Sequence, residues 1–312
     1  MLKTGLGVIV VIILLTVFSL YSFKDNNVLV SSSLKNSAAL ARLVLPANIE
    51  IKKNVTISNY FEYLDSIVFK YDSLTSYKLT EHLLVRANPW IIDTLQNTDY
   101  YRMMARDSFV YDQKKMIALA KGSLMVIPDS IQAKTLLSAF QKTTIDINIP
   151  EFKLRIYEDT IQLYEFPIRV GRNEKKYLKM SGRVQDLKTK TGEGYIVNYV
   201  RDARYANPVN NHEYFVTNRD DKKVTKLPRI PFIETEINGL RYGQLIHPTT
   251  NPESLGKAYS NGCIGTREGD AWIIYYHASI NTAVKIRYDL NVVNEKGDTI
   301  VLKDIYGYNK KN

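Results

Sequence analysis

Cys263 is the only cysteine among the 312 residues. A thiol attacks carbonyls only as its thiolate, so a working cysteine needs a base or positive field beside it and hydrogen-bond donors for the oxyanion it creates. The stretch Ser260-Asn261-Gly262-Cys263-Ile264-Gly265 offers that setting. Its glycines let the backbone turn tightly and approach a substrate, and they put the N–H groups of Gly262 and Cys263 where an oxyanion hole requires them. A helix expected from about Glu268 to Ala278 would add modest support for the thiolate from its N-terminus. The competing reading is an inert cysteine packed as a small hydrophobe.

Of the four histidines, His247 ends the apolar, strand-like run Gln244-Leu245-Ile246 and precedes the turn Pro248-Thr249-Thr250. The polar, glycine-bearing loop from Asn251 to Tyr259 can fold back and bring imidazole and thiol together. His82 falls on an expected helix of another region, and His212 and His277 lack a comparable setting. Arg241-Tyr242-Gly243 precedes the histidine strand, where Tyr242 is either a cleft side chain or a structural tyrosine. No metal cluster, phosphate-cradling glycine loop or nucleotide fingerprint is present, so neither a metal nor a cofactor is expected.

These residues sit in a half of the chain whose texture is β. Ile145-Asp146-Ile147-Asn148-Ile149 alternates, and Lys153 to Tyr157 meets Ile161 to Phe166 across Glu158-Asp159-Thr160 as a hairpin. Further strands are expected at 168–171, 194–197 and 212–216, and in a tail that pairs 284–288 with 291–293 and 299–302. Upstream the pattern is helical. Phe61, Leu64, Ile67, Val68 and Tyr71 share one face, a second helix ends before Asn88-Pro89, and others are expected at 112–120 and 131–141. Leu84 to Pro89 and Lys121 to Pro128 faintly resemble the asparagine and closing strand of LysM glycan-binding modules at a longer spacing, against a plain helical packing domain.

At the N-terminus Lys3 precedes an uncharged run from Thr4 to Phe23, long enough to span a bilayer or to serve as a signal h-region. Bulky Leu20 and Tyr21 make a poor cleavage site, which favours an uncleaved anchor. The organisation expected is therefore a membrane segment over 1–26, a mainly helical domain over 27–148 and a β-rich domain over 149–312, an α+β fold. A solitary cysteine outside the cytoplasm, where pairs normally become disulfides, is a reactive thiol with a reason to be there. The net charge of +10 and pI near 9.3 suit anionic wall polymers or lipid surfaces. Lysines and arginines are scattered rather than striped, which argues against nucleic acid.

Leu245-Ile246-His247 followed by Ser260-Asn261-Gly262-Cys263-Ile264 resembles the signature of L,D-transpeptidases with a YkuD-type catalytic domain. Lys188-Thr189-Lys190-Thr191-Gly192-Glu193-Gly194 resembles that family's Thr-Pro-x-Gly turn, and the Lys153 to Gly171 hairpin its opening strands. The resemblance covers about Ile149 to Tyr288. It implies a mostly β enzyme of the cell envelope that acts on peptidoglycan stem peptides. Cys263 would take the acyl group of a tetrapeptide stem, release the terminal D-alanine and pass the acyl group to an amine or protein acceptor, with His247 as base and the Pro248 carbonyl orienting the ring. Water as acceptor would make it an L,D-carboxypeptidase or cross-link hydrolase, and a decayed site a wall-binding scaffold. Ser260, Asn261 and Gly262 would line the oxyanion and substrate region. Asn261 stands where the family has histidine, Gly265 where it has arginine or asparagine, and Lys190 where it has proline. Arg267 is the candidate to bind the substrate carboxylate in place of the side chain that Gly265 does not have.

Overall fold

The computed structural model describes residues 48–294 and 296–309. The expected membrane segment at 1–26 lies outside them, and among the described residues no helix is long and apolar enough to cross a membrane.

An eight-stranded mixed sheet forms the centre. Its strands are β1 (Thr143–Asn148), β2 (Lys153–Glu158), β3 (Ile161–Pro167), β4 (Gly192–Val200), β5 (Phe232–Ile237), β6 (Leu245–Pro248), β7 (Ile264–Thr266) and β8 (Ala283–Arg287). Their spatial order is β7-β6-β5-β4-β8-β1-β2-β3. Neighbours are antiparallel except β6 with β7 and β8 with β1. The alternating 143–167 segment folds as its pattern dictates, with Asp159 at positive φ in the hairpin turn. Strand β1 lies within the sheet, so the segment expected to end the helical domain at 148 belongs structurally to the sheet.

Two strand expectations fail on partner and place. Residues 284–288 do not join the C-terminal hairpin; β8 inserts between β4 and β1, and Asn291–Val293 pairs only with Thr299–Val301. Residues 212–215 form a loop ahead of the short strand Val216–Asn218.

Among the described residues six helices accompany the sheet: α1 (Tyr60–Tyr71), α2 (Glu81–Arg86), α3 (Pro89–Gln96), α4 (Tyr100–Met104), α5 (Ser130–Lys142) and α6 (Glu268–His277). Phe61, Leu64, Ile67 and Tyr71 form the buried face of α1. The helix expected at 112–120 is instead a single 3-10 turn followed by strand Ile117–Leu119. Pro89 does end α2, but it also opens α3 as a first-turn proline, where its missing N–H costs nothing. The two LysM-like pieces meet through Asn88: its Nδ2 donates to the Leu84 and Val126 carbonyls at 2.8 Å each, and its Oδ1 accepts the Val126 N–H at 2.8 Å.

Helix α6 is buried along its whole length, because β6 and the α2–α3 layer both pack against it. Trp272, Tyr275 and Tyr276 interlock there with Tyr60 and Phe61. Two carboxylates are buried in the same seam. Glu81 meets Arg201 and the hydroxyls of Tyr275 and Tyr276, and Glu268 meets Arg219, Gln113 and the Tyr100 N–H. Burying a carboxylate without such partners would cost several kcal/mol, so these networks fix how the helical layer seats on α6.

Candidate active site

The parallel pair β6–β7 positions the two candidate residues. Ile246 faces Ile264 and both side chains enter the core, while His247 faces Gly265 on the other side of the sheet. Side chains alternate along a strand, so Cys263, two residues before Gly265, falls on the His247 side. Residue type sets this arrangement: the isoleucines take the core face and leave histidine and cysteine on the opposite, half-buried one. Cys263 as a residue is half-buried.

The sulfur lies 3.8 Å from the Gly243 carbonyl oxygen, close enough for a weak S–H donation. Burial pushes the Cys263 thiol up, while the Leu245 N–H and the positive charge of Arg169 pull the other way. His247 Nδ1 is 2.9 Å from the Pro248 carbonyl. Carrying its proton there leaves Nε2 with a free lone pair. Phe232 lies against the ring with centroids 4.8 Å apart, and burial together with Arg169 lowers the imidazole pKa from 6.5 to about 4. It is a neutral ring at neutral pH, able to accept a proton. His82 and His277 are buried elsewhere, bonded to the Tyr275 and Ile273 carbonyls.

The loop before the cysteine is tightly specified. Ser260 Oγ donates to the Cys263 carbonyl at 2.6 Å and accepts the Gly262 N–H at 3.2 Å. Gly262 sits at φ +114°, a conformation other residues rarely adopt. Its N–H is therefore committed inside the loop, which leaves the Cys263 amide as the candidate oxyanion donor of the two. The Gly262 carbonyl accepts the Thr189 hydroxyl at 3.0 Å. In a trans peptide the carbonyl and the following N–H point in opposite directions, so Thr189 also aims the Cys263 N–H.

Thr189 is held in turn. Its Oγ1 accepts the Gly171 N–H at 2.8 Å, and its own N–H donates at 3.1 Å to the hydroxyl of Tyr306, which donates to the Gly171 carbonyl at 2.7 Å. The sequence marks Thr189 as part of a turn motif but not for this role, and it does not single out Tyr306, Phe232 or Arg169. The first two of these lie in no motif. The third has one readable signal, the glycine at 265 in place of a side chain.

Other candidates fall at the periphery. Tyr242 is exposed in the turn beside Gly243, and Asn261 is half-buried in the loop. Arg267 caps α6 from an exposed position, its nearest carboxylate Asp270 at 3.9 Å. The helix N-terminus expected to support the thiolate is directed elsewhere: the Gly269 N–H donates to Asp99 at 2.8 Å. Among the described residues no cluster of histidine, cysteine and carboxylate side chains could hold a metal.

Against known proteins, residues 142–286 match the model of the YkuD L,D-transpeptidase catalytic domain. No curated protein matches the chain. Solved structures similar to it include an L,D-transpeptidase from Mycobacterium smegmatis, 15% identical over 47% of this chain and 58% of that one, TM-score 0.32. L,D-transpeptidase 3 from Mycobacterium tuberculosis is 16% identical over 47% of this chain and 61% of that one, TM-score 0.32. An L,D-transpeptidase fragment from Xylanimonas cellulosilytica is 13% identical over 78% of this chain and 100% of that one, TM-score 0.34. The chain thus spans only 58% and 61% of the two mycobacterial structures. What the family model establishes is that residues 142–286 carry an L,D-transpeptidase catalytic domain of the YkuD family.

Proposed function

We propose that this protein is a peptidoglycan L,D-transpeptidase working through a Cys263 acyl-enzyme in the cell envelope. The observation that supports the reading is the placement of Cys263 immediately before β7, the strand that pairs in parallel with the His247 strand β6. His247 Nε2 takes the thiol proton as the sulfur attacks the carbonyl of the third stem residue. The Cys263 N–H donates to the oxyanion. The S–C bond forms, the C–N bond to D-alanine breaks, and His247 hands its proton to the departing amine. An acceptor amine then attacks the thioester, losing its proton to His247, and the C–S bond breaks to restore the thiol.

Soluble protein is incubated with a disaccharide-tetrapeptide and the products weighed by mass spectrometry. Loss of D-alanine together with a cross-linked dimer is the expected result, abolished in Cys263→Ala. Loss of D-alanine without dimer would identify water as the acceptor, and full activity in Cys263→Ala would overturn the acyl-enzyme.

A further inference from the structure

Arg169 precedes the short strand Val170–Gly171 and pairs with Gly265 in both directions: its N–H reaches the Gly265 carbonyl at 2.9 Å, and the Gly265 N–H reaches its carbonyl at 3.0 Å. The side chain then runs across the glycine. A Cβ built on Gly265 would lie 2.5 Å from Nε, 2.7 Å from Cγ and 3.0 Å from Cδ of Arg169. Position 265 is therefore empty of a side chain because an arginine from another segment fills that space, two residues from Cys263 and across the strand pair from His247.

This guanidinium lacks the partners a buried cation needs. Among the described residues it forms no ion pair, its Nε is buried without a hydrogen bond, and its one side-chain contact is a long 3.4 Å donation from Nη1 to Ser254 Oγ. Arg219, by contrast, is buried and satisfied on every nitrogen, by Thr225, Glu268 and Gln113. Leaving a guanidinium half-sheltered and unpaired is unfavourable unless an anion joins it. The titratable and charged groups around it are Cys263, Tyr214, Arg172 and His247. Arg172 is engaged by the Ser260 and Tyr259 carbonyls. Of these groups the thiol is the one whose anion the proposed chemistry creates.

We propose that Arg169, lying over Gly265, is the positioning residue that serves as counter-ion to the Cys263 thiolate. Arg267 does not fill this role. The consequence for catalysis rests on the acyl-transfer reading, but the ion pair itself is a property of the resting protein.

The first measurement needs no substrate. The pH dependence of Cys263 alkylation by iodoacetamide is measured on the wild type, Arg169→Gln, Arg169→Lys and Gly265→Ala. The last is chosen because its methyl group would displace the guanidinium while leaving the charge in the chain. Arg169→Gln is expected to raise the midpoint by about one pH unit, about a tenfold loss of thiolate at a fixed pH below it. Lysine should recover part of the shift and Gly265→Ala should move the midpoint the same way, with circular dichroism showing all four folded. An unchanged midpoint in folded Arg169→Gln overturns the proposal. So does an unchanged midpoint with a raised KM for the tetrapeptide stem, which would make the guanidinium a receptor for a substrate carboxylate. A protein that shows the shift yet turns over no stem peptide would retain the ion pair and lose the transpeptidase reading, so the two failures are distinguishable.

Discussion

Cys263 and His247 are held by opposite means. The sulfur touches backbone at Gly243 and Leu245, whereas the imidazole is clamped by the Pro248 carbonyl and the Phe232 ring. Burial and Arg169 lower the His247 pKa from 6.5 to about 4, so the folded protein releases this proton at lower pH than an unfolded chain does. The ring is a competent base at every pH above that value. The acidic limb of kcat/KM should therefore lie near pH 4 to 5 and not near 6.5. The same sign governs stability: the contribution from keeping the ring neutral is complete above 6.5 and is lost as pH falls from 6.5 to about 4. An NMR titration of the ring decides the matter, and a midpoint near 6.5 would contradict it. Both residues are legible in the sequence because each sits beside its own punctuation, glycines for the cysteine and a proline turn for the histidine. Arg169 is not, since its importance comes from a chain crossing that no local pattern records.

Among the elements, the hairpin of β2 and β3 can be read from period and turn chemistry alone, and helix α6 lies where one was expected after the cysteine although it is buried on every side. α3 and α4 cannot be read in this way. Pro89 reads as a stop although the first turn of a helix accepts it, and α4 is one short turn whose start is fixed by the Asp99 carboxylate accepting from Tyr101 and Arg102. The loop bearing Cys263 shows why a site can be half-legible: its residues are local, but the bond that aims its amide comes from Thr189. Thr189→Val keeps the shape and removes two buried hydrogen bonds, about 1 kcal/mol each. The variant should remain folded, lose about 1 to 3 kcal/mol in thermal unfolding and show at least about tenfold lower kcat, since the oxyanion donor is no longer held. Unchanged kcat would mean that the Cys263 amide is aimed by something else.

Across the whole molecule, the helices before residue 142 and the sheet after it meet in one seam along α6. Arg219 and Glu268 are buried there with their partners, and Arg219 also covers the Tyr100 ring at 4.4 Å. Removing only the arginine strands a carboxylate, so Arg219→Met should cost about 3 to 5 kcal/mol in urea unfolding. Adding Glu268→Leu should return part of that stability. A single variant within about 1 kcal/mol of wild type would show that water reaches the seam. Because α6 follows on β7, the strand that comes directly after Cys263, loosening the seam is expected to disturb the position of Cys263. The Tyr306 hydroxyl adds a constraint of another kind. It braces the Thr189 turn from 117 residues down the chain, so the loop that bears Cys263 depends on a contact no neighbouring residue supplies. Removing the tail ahead of that tyrosine is therefore expected to loosen the turn that aims the Cys263 amide while leaving the residues around Cys263 and His247 unchanged.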